Sequence, residues 1–245
     1  VGGSKANAID DITPNAYNET WDGLTTGSGL TVATTNNPSW FGSSTSSGSI
    51  DYRIPAQEQA GFTLNAAITY DPNAGVGPAS KGGVTATNGG SGSAYVVQVA
   101  HESGLEIGAG YEDVDTSQGA GTNATDLDRT TVYVKFASGG LSVAYQEALQ
   151  NSSSDTDTPG ADQEAMFLGI AYTMGDTTIS YGESELDVKA VSDTAARATI
   201  ELESIQAAYV MGAMTLSAAM SETNNVGGVA SNKYEENTLA VSFAF

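Results

Sequence analysis

The side chains of this chain that could do chemistry are mostly carboxylates. Its 245 residues include 29 aspartates and glutamates, 8 lysines and arginines, one histidine (His101) and no cysteine. A catalytic base needs an oriented partner and a cleft, and no spacing of serine and aspartate around His101 predicts such a set. We therefore interpret His101 as a packing residue, and the sequence favours a protein that is not an enzyme.

One acidic run could bind a metal ion. Asp155, Asp157 and Asp162 offer oxygen atoms, which are the ligands that Ca²⁺ prefers. Pro159 occupies a ligand position of the EF-hand pattern, so a solvated acidic loop is favoured, with Ca²⁺ in the acidic loops as the alternative and no other cofactor indicated. The net charge of −21 repels nucleic acid, which excludes it as a partner.

Alternation of apolar and polar residues predicts β-strands along most of the chain. A period of two places one set of side chains on each face of a strand. The last strand is the clearest example, with apolar residues at Leu239, Val241, Phe243 and Phe245. Eleven strands are predicted in this way, at 48–55, 60–70, 93–102, 105–115, 128–137, 141–150, 163–173, 177–187, 198–210, 214–224 and 234–245. No stretch reaches the roughly 18 consecutive apolar residues that a transmembrane helix needs. Because strands are predicted along most of the chain, the predicted fold class is all-β.

The connections between the strands favour a membrane barrel over a soluble sandwich, which alternates as well. Tight turns are predicted at Gly104, at Gly139 and Gly140, at Gly175 and Asp176, and at Gly212. Long polar connections are predicted at 71–92, 115–127, 150–162, 188–198 and 224–233. Short turns at one end and long loops at the other are typical of an antiparallel outer-membrane β-barrel.

Aromatic residues recur near both ends of the predicted strands. Tyr70, Tyr111, Tyr145 and Tyr181 fall near the loop end, and Phe136, Tyr172 and Tyr209 precede tight turns, with Phe245 at the end of the last strand. Amphipathic rings are stable at the two membrane–water interfaces, so these residues predict an aromatic girdle at two depths. The alternative is that they are core tyrosines of a sandwich.

The chain resembles Gram-negative general diffusion porins. Residues 49–55, followed by 60–63 and Tyr70, resemble the hairpin after the constriction loop of these porins, and the terminal Phe245 resembles their assembly signature. The resemblance implies a transmembrane antiparallel β-barrel of 16 strands. Residues 48–245 would hold strands six to sixteen, and 1–47 would hold the end of strand five and an inward-folded constriction loop. The odd count of eleven leads to the expectation that N-terminal strands are missing, because bacterial barrels have an even number.

The resemblance also implies a function, a location and partners. The expected protein is a homotrimer in the outer membrane of a Gram-negative bacterium, in contact with lipid and lipopolysaccharide. It is expected to form a water-filled channel for passive diffusion of small hydrophilic solutes and ions.

The pore constriction is predicted from charge. Acidic residues of the first segment would face inward basic residues across a narrow neck; the set is Asp10, Asp11, Glu19, Asp22, Arg53, Arg129 and Lys135. Inward Glu106 and Glu112 add to the acidic side, and rings of carboxylates favour cations, so we expect mild cation selectivity. The alternative for the first segment is an acidic surface loop.

Other functions remain open at this point. One is a plugged barrel that acts mainly as a surface structure and binds partners through its loops. Small inward residues that would leave space favour the open pore instead: Gly108, Gly110, Gly169, Ser142 and Ser217. A lipase-type barrel enzyme would need a serine motif that we do not find, and a soluble sandwich would be extracted from cells without detergent.

Overall fold

Eleven antiparallel strands form one sheet. The computed structural model describes residues 6–20, 41–42, 49–74, 90–116, 125–152, 162–188 and 198–244. The strands are β1 (Ile50–Gln59), β2 (Phe62–Ala74), β3 (Gly90–His101), β4 (Leu105–Thr116), β5 (Thr125–Ser138), β6 (Leu141–Ser152), β7 (Gln163–Met174), β8 (Thr177–Val188), β9 (Ile200–Met211), β10 (Met214–Asn224) and β11 (Lys233–Phe243). Each strand pairs with its neighbours in chain order, and β1 and β11 are the two edges of the sheet. The predicted all-β fold and its eleven strands are confirmed.

Helical structure is sparse in the described part of the chain. Short 3-10 helices lie at Asn7–Ile9 and Val226–Gly228. None of the described helices has the length and apolarity needed to cross a membrane.

The predicted tight turns join the strands in pairs. Gly139 and Gly140 form the two-residue connection between β5 and β6, with φ values of 59° and 86°. A two-residue hairpin turn of type I′ needs positive φ at both positions, which glycine adopts without strain. A further tight turn, at Ala60 and Gly61, joins β1 to β2 and was not predicted.

Several strand ends differ from the prediction. β1 runs on to Gln59 through an irregularity between Ile54 and Gln57, where Pro55 has no N–H to donate to a ladder. The predicted loop 224–233 is shorter than expected and contains the second 3-10 helix. The loop-end limits of β2, β3 and β5 extend into segments predicted as connections, because polar residues are also accommodated in a paired strand.

The sheet has two chemically different faces. We call the face against which residues 6–20 and 41–42 pack the inner face, and the opposite one the outer face. On β9, Ser204 and Gln206 are buried on the inner face, whereas Ile205 is 58% exposed on the outer face. Outward apolar side chains are the pattern of a transmembrane barrel.

The predicted girdle residues that the structure describes all lie on the outer face. Tyr70, Tyr111, Tyr145 and Tyr181 lie toward the loop end, and Phe136, Tyr172 and Tyr209 lie near the tight turns. Phe245 lies outside the described residues. Tyr95, which was not predicted, stacks on its cross-strand partner Tyr111 with ring centroids 6.5 Å apart.

The inner face is less polar than expected. Near the loop end of β6 to β9, it carries a buried apolar cluster whose members are Ala148, Ala165, Phe167, Leu186, Ile200 and Leu202, with Tyr234 of β11 packed against it. The sequence analysis did not predict an apolar cluster on this face. Period-two alternation predicts which face a residue occupies, but it does not predict which residues cover that face.

Candidate functional site

Residues 6–20, which we call the inner segment, lie along the inner face of the sheet. At one end, Ile9 is buried in a cluster with Val96 of β3 and Tyr133 of β5. At the other end, the N–H of Tyr17 donates to Gln206 of β9. The segment therefore crosses from the middle of the sheet to β9, with a 3-10 helix at Asn7–Ile9 as its only helix.

Gln146 of β6 binds the first half of the inner segment. Its Oε1 accepts the N–H of Ile12 at 3.1 Å, and its Nε2 donates to the carbonyls of Ile9 at 2.9 Å and Asp10 at 3.2 Å. Nε2 also donates to Oγ1 of Thr131 on β5, 2.8 Å away. The Gln146 side chain is fully buried, so these bonds are shielded from water.

Gln206 of β9 binds the second half. Its Oε1 accepts the N–H groups of Tyr17 at 2.9 Å and Asn18 at 3.1 Å, and its Nε2 donates to the carbonyl of Asn18 at 2.6 Å. Between the two glutamines, Ser180 of β8 accepts the N–H of Ala16 at 2.9 Å through Oγ. Buried backbone groups need such partners, and β6, β8 and β9 of the sheet, which we call the wall, provide them.

Glycines of the wall provide the space in which the chain lies. A Cβ at Gly169 would lie 2.9 Å from Thr13 Cβ and Pro14 Cδ, and one at Gly182 would overlap the Thr20 hydroxyl. A Cβ at Gly110 would overlap the Phe41 ring, and one at Gly108 the Tyr133 ring. The interpretation that Gly108, Gly110 and Gly169 leave open space in a lumen is therefore wrong, because other side chains fill that space.

A buried ion pair lies where residues 41–42 meet the wall. Glu112 of β4 accepts the N–H of Gly42 at 3.0 Å and Arg129 Nη1 of β5 at 3.2 Å, both through Oε2. Arg129 Nε donates to Gln150 of β6 at 2.8 Å. The side chains of Glu112 and Arg129 are 0% and 9% exposed, so the pair is held away from bulk water.

Arg129 lies on the inner face, as the alternation predicts. β5 belongs to the part of the wall that Ile9 and Phe41 cover. Arg129 therefore lies near residues 41–42 on the inner face, and its place in a pore constriction stays a prediction.

The predicted acidic residues of the inner segment are half-buried where the structure describes them. Asp11 Oδ1 accepts the N–H and the hydroxyl of Thr13 at 2.8 and 2.7 Å, and Asp10 Oδ1 accepts the N–H of Asp11 at 2.9 Å. These bonds shape a local turn, as short acidic side chains commonly do. Glu19 lies near the end of the segment, and Asp22 lies outside the described residues.

The two other predicted basic residues also lie on the inner face. Arg53 of β1 is 58% exposed and forms an ion pair with Asp51 at 2.6 Å. Lys135 of β5 is half-buried and is the cross-strand partner of Glu106 on β4. Glu106 accepts the hydroxyl of Tyr133 at 2.6 Å.

His101 and the acidic residues considered for Ca²⁺ binding were the candidates for catalysis or metal binding. The His101 ring packs on Phe62 at 4.5 Å, and its Nδ1 lies 2.8 Å from Ser103 Oγ. The Ser103 N–H donates to the same nitrogen, so the contact closes the β3–β4 turn. Asp155 and Asp157 lie outside the described residues, and Asp162 immediately precedes β7, so Ca²⁺ binding stays a prediction. Within the described ranges, no group of three or more histidines, cysteines and acids could hold a metal ion.

The sequence did not single out the residues that hold the inner segment. Gln146, Gln206, Ser180 and Gly182 fall on the inner face by simple alternation. A buried glutamine at an inner position is a usable signal, because a carboxamide away from water needs partners. Which partners it has depends on a chain segment more than 130 residues away.

Comparison with known proteins supports the same family. A family profile described as Gram-negative porin matches residues 3–200. No curated protein matches the chain. The match covers most of the chain and includes the inner segment and the first eight strands, and the observed sheet has the outward apolar face that such proteins need. The chain belongs to the Gram-negative porin family.

Proposed function

We propose that this protein forms a water-filled channel in the outer membrane through which small hydrophilic solutes and ions diffuse passively, with a mild preference for cations. Membership of the porin family implies a channel rather than an enzyme, and an outer-membrane location. The observation that carries the proposal is the inner segment, which lies across the inner face of a sheet whose outer face is apolar. Such a segment narrows the space that the wall encloses. The free edges of β1 and β11 would be paired in the membrane, because unpaired backbone groups in lipid cost several kcal/mol each.

Charge on the inner face supports the cation preference. Arg53 and Arg129 are each paired with a carboxylate of a wall strand, which offsets their positive charge locally. Half-buried carboxylates of the segment, such as Asp10 and Glu19, lie on the same face, together with further acids of the wall strands. These further acids include Asp71, Glu106 and Glu236. Carboxylates that line a pore favour cations.

Planar bilayer recordings across a KCl gradient test both parts of the proposal. We expect stepwise ohmic currents, with a reversal potential of the sign for cations. The cation preference should grow as salt falls, because the screening length lengthens from about 8 Å at 0.15 M. Asp10→Asn combined with Glu19→Gln should weaken it, whereas Glu235→Gln on the outer face is the matched control. Absence of conductance would refute the channel, and anion preference at low salt would refute the selectivity.

A second candidate is a plugged barrel that serves mainly as a surface structure. It is favoured by the buried apolar cluster around Phe167, Leu186 and Leu202, and by the filled glycine positions on the inner face. Both features reduce the open space beside the wall. Conductance steps too small for an aqueous pore would favour this candidate over the channel.

The homotrimer and its contacts with lipid and lipopolysaccharide are also proposals. They follow from the family resemblance and from the exposed apolar outer face. Chemical cross-linking in native outer membranes tests the trimer, since a ladder that ends at three subunits is expected. A ladder that ends at one or two subunits would contradict it.

A further inference from the structure

We infer that Gln146 and Gln206 are positioning residues. Their carboxamides, which we call clamps, hold the inner segment in a fixed position on the wall. A fixed segment keeps the narrowest part of the channel, its neck, at constant width. The part that concerns the neck rests on the proposed channel function. The clamping itself is independent of it, because it follows from the contacts between side chain and backbone.

Each glutamine binds the segment through both its side-chain oxygen and its side-chain nitrogen. Gln146 accepts from the N–H of Ile12 and donates to the carbonyls of Ile9 and Asp10. Gln206 accepts from the N–H groups of Tyr17 and Asn18 and donates to the carbonyl of Asn18. A carboxamide has two donor hydrogens and an acceptor oxygen, so it can pair with a backbone as a neighbouring strand would.

Other residue types would not serve equally at these positions. Glutamate has the same shape, but its ionised carboxylate only accepts, so it would place negative charge against backbone carbonyls. Leucine would leave the same buried backbone groups without partners, which is unfavourable. The presence of two buried glutamines under one segment, in a chain with 29 acidic residues, therefore indicates a specific requirement for an amide.

The stretch between the clamps is held less tightly by hydrogen bonds. Pro14 has no N–H, and the N–H of Thr13 bonds within the segment to Asp11. The described wall contacts there include the Ser180 bond to Ala16 and the packing of Thr13 and Pro14 over Gly169. Loss of one clamp should therefore release its own half of the segment and leave the other half in place.

Hydrogen exchange with residue resolution, combined with single-channel recording, tests the inference. The variants are Gln146→Leu, Gln146→Glu, Gln206→Leu and Gln206→Glu in the intact protein, refolded in lipid at alkaline pH where a carboxylate carries no proton. We expect the Gln146 variants to speed exchange at Ile12 by an order of magnitude or more, and the Gln206 variants to do so at Tyr17 and Asn18. Exchange in β4 and β8 should stay as in the wild type, and open-channel current noise should rise several-fold.

Gln57→Leu is the matched control. Gln57 is exposed on β1, and its Nε2 donates only to the carbonyls of Pro55 and Ala56 among the described residues. It should leave both readouts at wild-type values. Unchanged exchange in the clamp variants, equal loss of protection in the wall strands, or wild-type behaviour of the glutamate variants would each overturn the inference. A wild-type protein that shows no conductance, but whose variants show the expected exchange, would overturn the channel function and leave the clamps in place.

Discussion

Gly169 of β7 and Gly182 of β8 are direct cross-strand partners, and both lie beneath the inner segment. The side-chain-free patch that they form is occupied by Thr13, Pro14 and Thr20. Two facing glycines thus form a socket for the segment, and their role is not to widen a lumen.

Adding a methyl group at either glycine of the socket tests whether the inner segment packs there. Gly169→Ala should destabilise the protein by about 1–3 kcal/mol, the usual cost of overpacking, because both Thr13 Cβ and Pro14 Cδ would have to move. Gly182→Ala should cost less, since only the Thr20 hydroxyl, which can rotate, lies in the way. Urea titrations in lipid vesicles measure both, with Ser142→Ala on the inner face as control. Equal stability of the Gly169 variant and the wild type would contradict the socket.

The assignment of the two faces can be tested by inserting charge. Val134 is 41% exposed on the outer face, so Val134→Arg should destabilise by roughly 2–4 kcal/mol if it lies near the midplane. Thr238→Arg on the inner face of β11 should cost less and should change conductance instead. Thr131 is unsuitable as the inner position, because it is buried and bonded to Gln146. If both arginines shift the urea midpoint equally, the two faces are assigned wrongly.

The buried ion pair predicts a strong asymmetry between single and double variants. Glu112→Gln should destabilise the protein, because it removes the buried carboxylate that lies 3.2 Å from Arg129 Nη1. Combining it with Arg129→Met should restore part of that loss, since both charges of the pair are then removed. The same urea titrations give the coupling free energy from the four proteins of the cycle. Additive effects of the two substitutions would show that the pair is not coupled.

A row of like charges crosses four strands on the outer face. Glu183, Glu203, Glu222 and Glu235 are successive cross-strand partners from β8 to β11. Directly opposed like charges are unfavourable, and Lys233 offsets two of them, at 2.8 Å from Glu222 and 2.9 Å from Glu235.

Neutralising this row should therefore stabilise the protein. Glu203→Gln should raise the urea midpoint and Lys233→Gln should lower it. Both shifts should shrink at high salt, because exposed charges are screened. Shifts that do not depend on salt would indicate a packing effect and not repulsion within the row.

Much of the fold could be predicted because strand alternation is a local property. Successive side chains of a strand point to opposite faces, so the order of residue types alone assigned Arg129 and Lys135 inward. The glycine turns and the outward positions of Tyr111 and Tyr172 follow from the same local geometry. The ends of the strands were predicted less well, because polar residues occur both in loops and in the paired strand ends beside them.

What only the tertiary structure decided is how the inner segment meets the wall. Nothing in the local sequence relates Gln146 to Ile9, which lies 137 positions earlier, or Gln206 to Tyr17. Alternation placed Arg129 and Glu112 on the inner face, but their pairing depends on the register of β4 against β5, which are joined by a long connection. Likewise, a glycine at an inner position either leaves open space or makes room for another side chain. The packing of Pro14 on Gly169 shows that this glycine makes room for a side chain. The sequence by itself determined the strands, their faces and the outward positions of the described aromatic residues, because these depend on near neighbours in the chain. The socket, the clamps and the ion pair depend on contacts between distant segments, and the folded structure was needed to identify them.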